Sequence, residues 1–156
     1  MRLLFKQRFF SWLDSYDIYD EAGNVVFTVR GKLSFGHAFE IYDGTGEYVG
    51  AVRQELLTFL PRFAFYVGEQ CIGDLRKQLA FFRQSYTLDF NGWTVDGDFF
   101  AWDYTICDGS GGTVATAQKQ VLNWTDTYVI DVARAEDALP ALMVVLAIDA
   151  EKCSND

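Results

Sequence analysis

Residues 136–153 read EDALPALMVVLAIDAEKC, the longest apolar run in an acidic chain. Whether this segment enters a membrane or is wrapped by the rest of the protein decides the architecture. From Asp137, which suits an N-cap, to Ala150 there are about 13 helical residues, or ~20 Å at ~1.5 Å per residue. A bilayer core of ~30 Å needs about 20 apolar residues, so the helix is too short to span it. Glu136 and Asp137 stand where a helix N-terminus favours negative charge, and Pro140 falls in the first turn, where it is tolerated. Lys152 lies near the end that favours positive charge. Leu139, Leu142, Met143, Val144, Val145, Leu146 and Ile148 go right round the circumference instead of forming one stripe. That distribution suits a helix buried on all sides.

Nearly everything upstream has the pattern of strands. In VVFTVRGK, starting at Val25, Val25, Phe27 and Val29 alternate with Val26, Thr28, Arg30 and Lys32, the period of a half-buried strand. The run FFAWDYTICD, starting at Phe99, alternates in the same way through Phe100, Trp102, Tyr104 and Ile106. Compact turn signals separate such runs: DEAGN at Asp20, DGTGE at Asp43, Asn91-Gly92, VDGD at Val95 and DGSGG at Asp108. These residues adopt positive φ at low cost in hairpins. Three hairpins echo one another, IYDEAGN from Ile18, IYDGTGE from Ile41 and ICDGSGG from Ile106, at irregular spacing. Irregular spacing argues for repeated turn chemistry within one domain over residues 1–156, not for a stacked solenoid.

The runs between turn signals number roughly twelve, many for an open sheet, which invites closure. A twelve-strand barrel, at ~4.8 Å per strand and ~40° of tilt, has a backbone diameter near ~24 Å. Removing about 5 Å of side chain from each wall leaves roughly 14 Å, enough for a helix of ~10–12 Å. The expected fold is mainly β (α+β): a closed antiparallel barrel of about twelve strands around the buried C-terminal helix.

Composition narrows the function classes. The 156 residues carry 13 Lys+Arg against 22 Asp+Glu, a formal net charge of -9. The long-range field therefore repels nucleic acid and anionic lipid, although a local basic groove is compatible with it. Cys71, Cys107 and Cys153 are odd in number and lack CxxC or His-pair spacing, which points away from a disulfide framework or a zinc site. The opening MRLLFKQRFFSWLD is broken by Lys6, Gln7 and Arg8 before an apolar core of signal-peptide length develops, so cytoplasmic residence is expected.

Catalytic signatures are sparse. The one imidazole is His37, and no GxSxG, HExxH or P-loop sequence occurs. A Cys-His pair of His37 with Cys71 or Cys107, or an unrecognised pocket at a barrel mouth, is the enzymatic alternative. A calcium loop starting at Asp43 fails, since Tyr48 stands at position 6 and Gln54 at position 12. Asp14, Asp17 and Asp20, spaced by three, alternate in facing along a strand and cannot share an ion. No metal and no cofactor are expected. Trp12, Trp93, Trp102 and Trp124 suit barrel walls better than stacking platforms, and of the neighbours Phe99 and Phe100 one should face the helix and the other the outside.

The ordered series YDIYDEAGNVVFTVRGK, FEIYDGTGEYVGAVRQELLTFLPRFAFYVG, NGWTVDGDFFAWDYTICD and NWTDTYVIDV, followed by the apolar helix, resembles the LURP-one-related proteins. These belong with the tubby C-terminal domain and the phospholipid scramblases. The resemblance implies the same helix-filled barrel and a non-enzymatic binding or adaptor domain with an unknown protein, small-molecule or lipid ligand. Tubby domains bind phosphoinositide headgroups through Lys and Arg on the barrel exterior, and scramblases are associated with lipid movement. The matching candidates are Arg30 and Lys32, which share a strand face, and Arg53 at the end of the equivalent strand in the next hairpin. The competing reading is that these are solvated cations protecting strand ends. Arg76, Lys77 and Arg83 are expected to form a solvated strand end or turn. The implied setting is cytoplasmic, with peripheral contact to a membrane as the lipid-binding variant.

Overall fold

The computed structural model describes residues 1–5, 15–32, 35–80, 83–122 and 125–154. Twelve strands follow one another as a meander: β1 (Arg2–Phe5), β2 (Ser15–Tyr19), β3 (Val25–Gly31), β4 (Ala38–Asp43), β5 (Tyr48–Gln54) and β6 (Arg62–Val67). The second half comprises β7 (Gln70–Ala80), β8 (Arg83–Leu88), β9 (Thr94–Asp98), β10 (Asp103–Cys107), β11 (Thr113–Leu122) and β12 (Thr125–Val132). A 3₁₀ turn (Ala135–Asp137) leads into α1 (Ala138–Ser154). Every strand pairs antiparallel with its sequence neighbours, and β1 closes the ring on β12 through Leu3↔Ile130 and Phe5↔Tyr128. Closure removes the sheet edges that so many strands would otherwise expose.

The period-2 rule places one residue set inside. Val29 lies opposite Ile41, Phe39 opposite Val52, Val52 opposite Phe65, and Phe63 opposite Leu75. All of these side chains are buried. The helix fills what they enclose: residues 141–148, more than two full turns, are each no more than 1% exposed. Fit is close at Gly50, where a Cβ would stand 2.4 Å from the Tyr66 carbonyl oxygen and 2.6 Å from Met143 Cε. Glycine there lets the wall approach the helix.

The repeated hairpin chemistry is real. Asp43 Oδ1 accepts from the Thr45 N–H, the Thr45 hydroxyl and the Glu47 N–H at 2.9, 2.6 and 3.0 Å. Asp108 does the same with Ser110 and Gly112, and Asp20 with Ala22 and Asn24. These bonds favour the ionised form and hold Asp43 and Asp108 below the usual carboxylate range. The acids of the echo are turn caps.

Three details differ from the sequence reading. The α-helix runs 17 residues and continues past Ala150, and Asp137 ends the preceding 3₁₀ turn instead of capping α1. At ~1.5 Å per residue it is still only ~26 Å long, and among the described residues no helix is long and apolar enough to cross a membrane. Phe100 leaves the inner face, because residues 99–102 form a turn that sends Phe99 inward and Phe100 out. Trp102 ends that turn at φ 54, a left-handed conformation rare for a bulky residue, and is buried against Tyr128 and Phe5. Lys77, expected in a solvated segment, points into the barrel mouth and is described below.

Candidate functional site

Because consecutive connections of a meander alternate ends, the barrel has two unlike mouths. The β2–β3, β4–β5, β6–β7 and β10–β11 turns carry Asp20, Glu21, Asp43, Glu47, Glu69 and Asp108 at the mouth where α1 enters. The β3–β4, β5–β6 and β9–β10 connections surround the C-terminal end of α1.

Arg30, Lys32 and Arg53 lie on one outer strip spanning β3 to β5. Register sets Arg30 opposite Glu40 and Arg53 opposite Ala38, while the Lys32 N–H bonds the Ala38 carbonyl. Lys32 Nζ reaches Glu40 Oε2 at 3.4 Å, and Glu40 also accepts the Tyr42 hydroxyl at 2.5 Å. The Tyr42 hydrogen bond, with the charges of Lys32 and Arg53, holds the Glu40 carboxyl below its usual range despite partial burial. The Arg30 guanidinium sits over the Tyr42 ring at 4.8 Å and Arg53 over Tyr66 at 4.9 Å. A guanidinium whose face lies on an aromatic ring keeps its in-plane N–H groups available for hydrogen bonding. The strip thus gathers three cations about one carboxylate.

A groove of about 350 Å³ lies nearby, between the β5–β6 connection and β7, lined by Phe59, Leu60, Pro61, Arg62, Arg76 and Lys77. Its cations are already committed. Arg62 faces Glu55 at 3.5 Å and Asp74 at 3.8 Å, and Arg76 faces Asp89 at 3.2 Å and Asp74 at 3.9 Å. Burial, then a hydrogen bond shared with Glu55 and the charges of Glu55 and Asp89, push the Asp74 carboxyl up to about 6. An incoming anion would meet more carboxylates here than on the β3–β5 strip.

Inside the same mouth, the last turns of α1 bury three ionisable residues, Asp149, Glu151 and Lys152, each at most 2% exposed. Glu151 accepts from Lys77 Nζ at 2.7 Å and from the Tyr86 hydroxyl at 2.7 Å, and Lys152 Nζ lies 3.1 Å from it. Lys152 also donates to Gln84 and faces the rings of Phe100, Phe99 and Tyr86. The Trp102 indole N–H donates to Asp149 Oδ1 at 3.1 Å. Burial raises the Tyr86 phenol above its ordinary range, and the adjoining Glu151 carboxylate raises it further.

The enzymatic pairing is not assembled. His37 lies in the β3–β4 connection, whereas Cys71 is the second residue of β7 and Cys107 ends β10, at the opposite mouth. His37 is tied down through its backbone: its N–H donates to Gln54 Oε1 at 3.0 Å, and its carbonyl oxygen accepts from the Gln54 N–H at 2.8 Å. Burial holds its imidazole below the ordinary value. Among the described residues no group of three or more His, Cys, Asp and Glu side chains is placed to hold a metal ion. Trp12, Asp14 and Trp124, and the side chains of Arg83 and Cys153, lie outside the described residues.

A family model described as LURP-one-related matches residues 1–149. The chain belongs to the LURP-one-related family. It is similar to YxjI, an uncharacterized protein of Bacillus subtilis (strain 168), with 27% identity over 150 residues that cover 96% of this chain and 92% of the relative. An X-ray structure of a protein from Arabidopsis thaliana superposes with a TM-score of 0.67 at 17% identity, covering 96% of this chain and 90% of that one. That likeness is one of fold. In this LURP-one-related chain, sequence reasoning found the outer strip but missed the Glu151 cluster. The available signal was three ionisable residues, Asp149, Glu151 and Lys152, closing an otherwise apolar helix.

Proposed function

We propose that this domain is a binding module, not a catalyst, and that its ligand is a phosphate-bearing anion, a phosphoinositide headgroup, held on the outer strip by Arg30, Lys32 and Arg53. One observation carries the reading: three cations from two hairpins gather beside Glu40, with Lys32 paired to it and the two guanidinium groups lying over tyrosine rings. Arg forks suit phosphate oxygens, and charge-assisted bonds of this kind are the strong ones. The packed interior supports an exterior site, since α1 occupies the space in which other barrels hold ligands. Lys32 would exchange its Glu40 partner for the phosphate.

The test is flotation of the purified protein with liposomes, with and without phosphoinositides, at low and physiological salt. Phosphoinositide-dependent, salt-sensitive binding that weakens in Arg30→Ala with Lys32→Ala supports the reading. Equal binding by that variant sinks it. A hydrolase screen of wild type and a His37→Ala variant addresses the catalytic half: a reproducible activity lost with His37 would overturn it.

A further inference from the structure

The mouth that holds the C-terminal end of α1 is rimmed by exposed apolar side chains. Leu57 and Phe59, on the β5–β6 connection, are fully exposed at 106% and 101%, and Leu56 and Leu79 are more than half exposed. Phe35, on the adjacent β3–β4 connection, is exposed too, and Gly36 lies against Leu56. Of the large apolar residues exposed among the described residues, most stand at this mouth. Scattered exposed leucines are ordinary, but clustered ones mark an interaction surface.

Leu57 sharpens the point. It adopts φ 62, where glycine or asparagine is far cheaper, and it packs against nothing. Folding gives no reason for a bulky apolar residue in that place. An outlier of this kind points from geometry to function. Leu57 and Phe59 stand fully exposed on one loop, with Phe35 and Leu79 exposed on neighbouring segments, and separate apolar tips of this kind match a fluid apolar medium better than a fixed protein surface.

Charge indicates which medium. Directly behind the tips lie Arg30, Lys32 and Arg53 on the outer wall, with Glu40 among them, whereas Arg62 and Arg76 around the groove are engaged by Glu55, Asp74 and Asp89; the acidic turn caps crowd the far mouth. On the β9–β10 side of the same mouth stand Asp98 and Asp103, so the basic strip belongs to β3 to β5 and the apolar tips extend the sector to β7. A chain of net charge -9 nonetheless places the basic strip of Arg30, Lys32 and Arg53 on the side where its apolar fingers project. We infer that the β3–β7 sector of this rim docks on an anionic lipid surface, with Leu56, Leu57, Phe59 and Leu79 dipping into the boundary between headgroups and acyl chains. This inference builds on the headgroup reading above but makes a separate demand, because apolar insertion resists salt whereas headgroup pairing does not.

The experiment pairs two probes on the full chain: partition to phosphatidylcholine vesicles containing phosphatidylserine and a phosphoinositide, and NMR titration with soluble inositol 1,4,5-trisphosphate. The variant is Leu57→Asp with Phe59→Asp, whose exposed positions leave the melting temperature unchanged. Partition should fall roughly tenfold or more in this variant, with trisphosphate binding retained. Wild-type partition by the variant overturns the inference. Trisphosphate binding without any vesicle partition also overturns it and leaves the headgroup site standing. Partition lost with Leu57 and Phe59, in a protein that ignores trisphosphate, supports the rim and removes the headgroup site. Wild-type dimerisation abolished in the variant, read by sedimentation without vesicles, would make the rim a contact between copies of this chain and overturn the lipid assignment.

Discussion

Replacing Glu151 with Gln preserves shape and removes one buried charge, so its effect can be worked from the contacts. The carboxylate is 2% exposed and receives Lys77 and Tyr86 at 2.7 Å each, with Lys152 Nζ at 3.1 Å. Hydrogen bonds to a charged group are worth ~1.5–3 kcal/mol net, and stripping one partner from a buried ion pair costs about 3–5 kcal/mol. Glu151→Gln leaves the buried Lys152 ammonium and the partly buried Lys77 ammonium facing a neutral amide, so a loss of about 3–5 kcal/mol is expected. Against a total of ~5–15 kcal/mol this is large, and it lowers Tm on the order of 10 °C. Burial alone would raise the Glu151 pKa, but the bonds from Lys77 and Tyr86 and the charge of Lys152 offset it and leave a lowered value. Stabilisation from a lowered pKa is full above the unfolded value and is lost as pH falls through the folded one, so the variant should show a shallower acid loss. Urea unfolding at pH 7, followed by tryptophan fluorescence, measures the change, with Glu47→Gln on an exposed turn as control. In a double-mutant cycle with Lys77→Met the coupling should be about 1–3 kcal/mol. A Glu151→Gln loss below about 0.5 kcal/mol, the range of surface substitutions, would refute the seating of the helix end in the mouth.

Other outcomes follow from single contacts. Val145→Asp puts a polar group at a position 0% exposed; losing the apolar burial (~1.5–3 kcal/mol) and burying an unpartnered polar group (~2–7 kcal/mol) should leave little folded protein by circular dichroism. Gly50→Ala should cost about 1–3 kcal/mol in urea unfolding, and Met143→Ala should not rescue it, because the Tyr66 carbonyl is the closer obstacle. The raised Asp74 pKa makes a contribution that is present below pH 3.8 and is lost as pH rises through about 6. Asp74→Asn should therefore flatten the urea midpoint between about pH 4 and 6 relative to wild type, and an unchanged profile would contradict the shared Asp74–Glu55 proton.

The sequence was most legible where one rule governed a residue. All-round hydrophobicity from Ala141 to Ile148 announced a surrounded helix, and period-2 alternation with Asp-Gly turns announced a meander long enough to close on itself. Arg30, Lys32 and Arg53 were legible as a strip because strand faces and hairpin equivalence fix them locally. Lys77 was misread because its neighbours Arg76 and Gln78 look like a solvated stretch; the period-2 rule that sends Arg76 outward sends Lys77 into the mouth, toward a partner 74 positions away. Phe99 and Phe100 do split to opposite sides as expected, but Phe100 does not share the face of Trp102, Tyr104 and Ile106, because a turn at 99–102 shifts the alternation and the left-handed Trp102 that ends it has no glycine to announce it. The apolar rim escaped notice since exposure of Leu57 and Phe59 depends on which loops the barrel brings to one mouth.

The ligand must bind outside if α1 fills the barrel, and native-state hydrogen exchange reads that filling most directly. Amides of residues 141–148 should exchange only through global unfolding, as slowly as the slowest amides of β5, β6 and β12. Fast exchange of the α1 amides while the strand amides stay protected would show a helix that leaves its barrel, and would contradict the account.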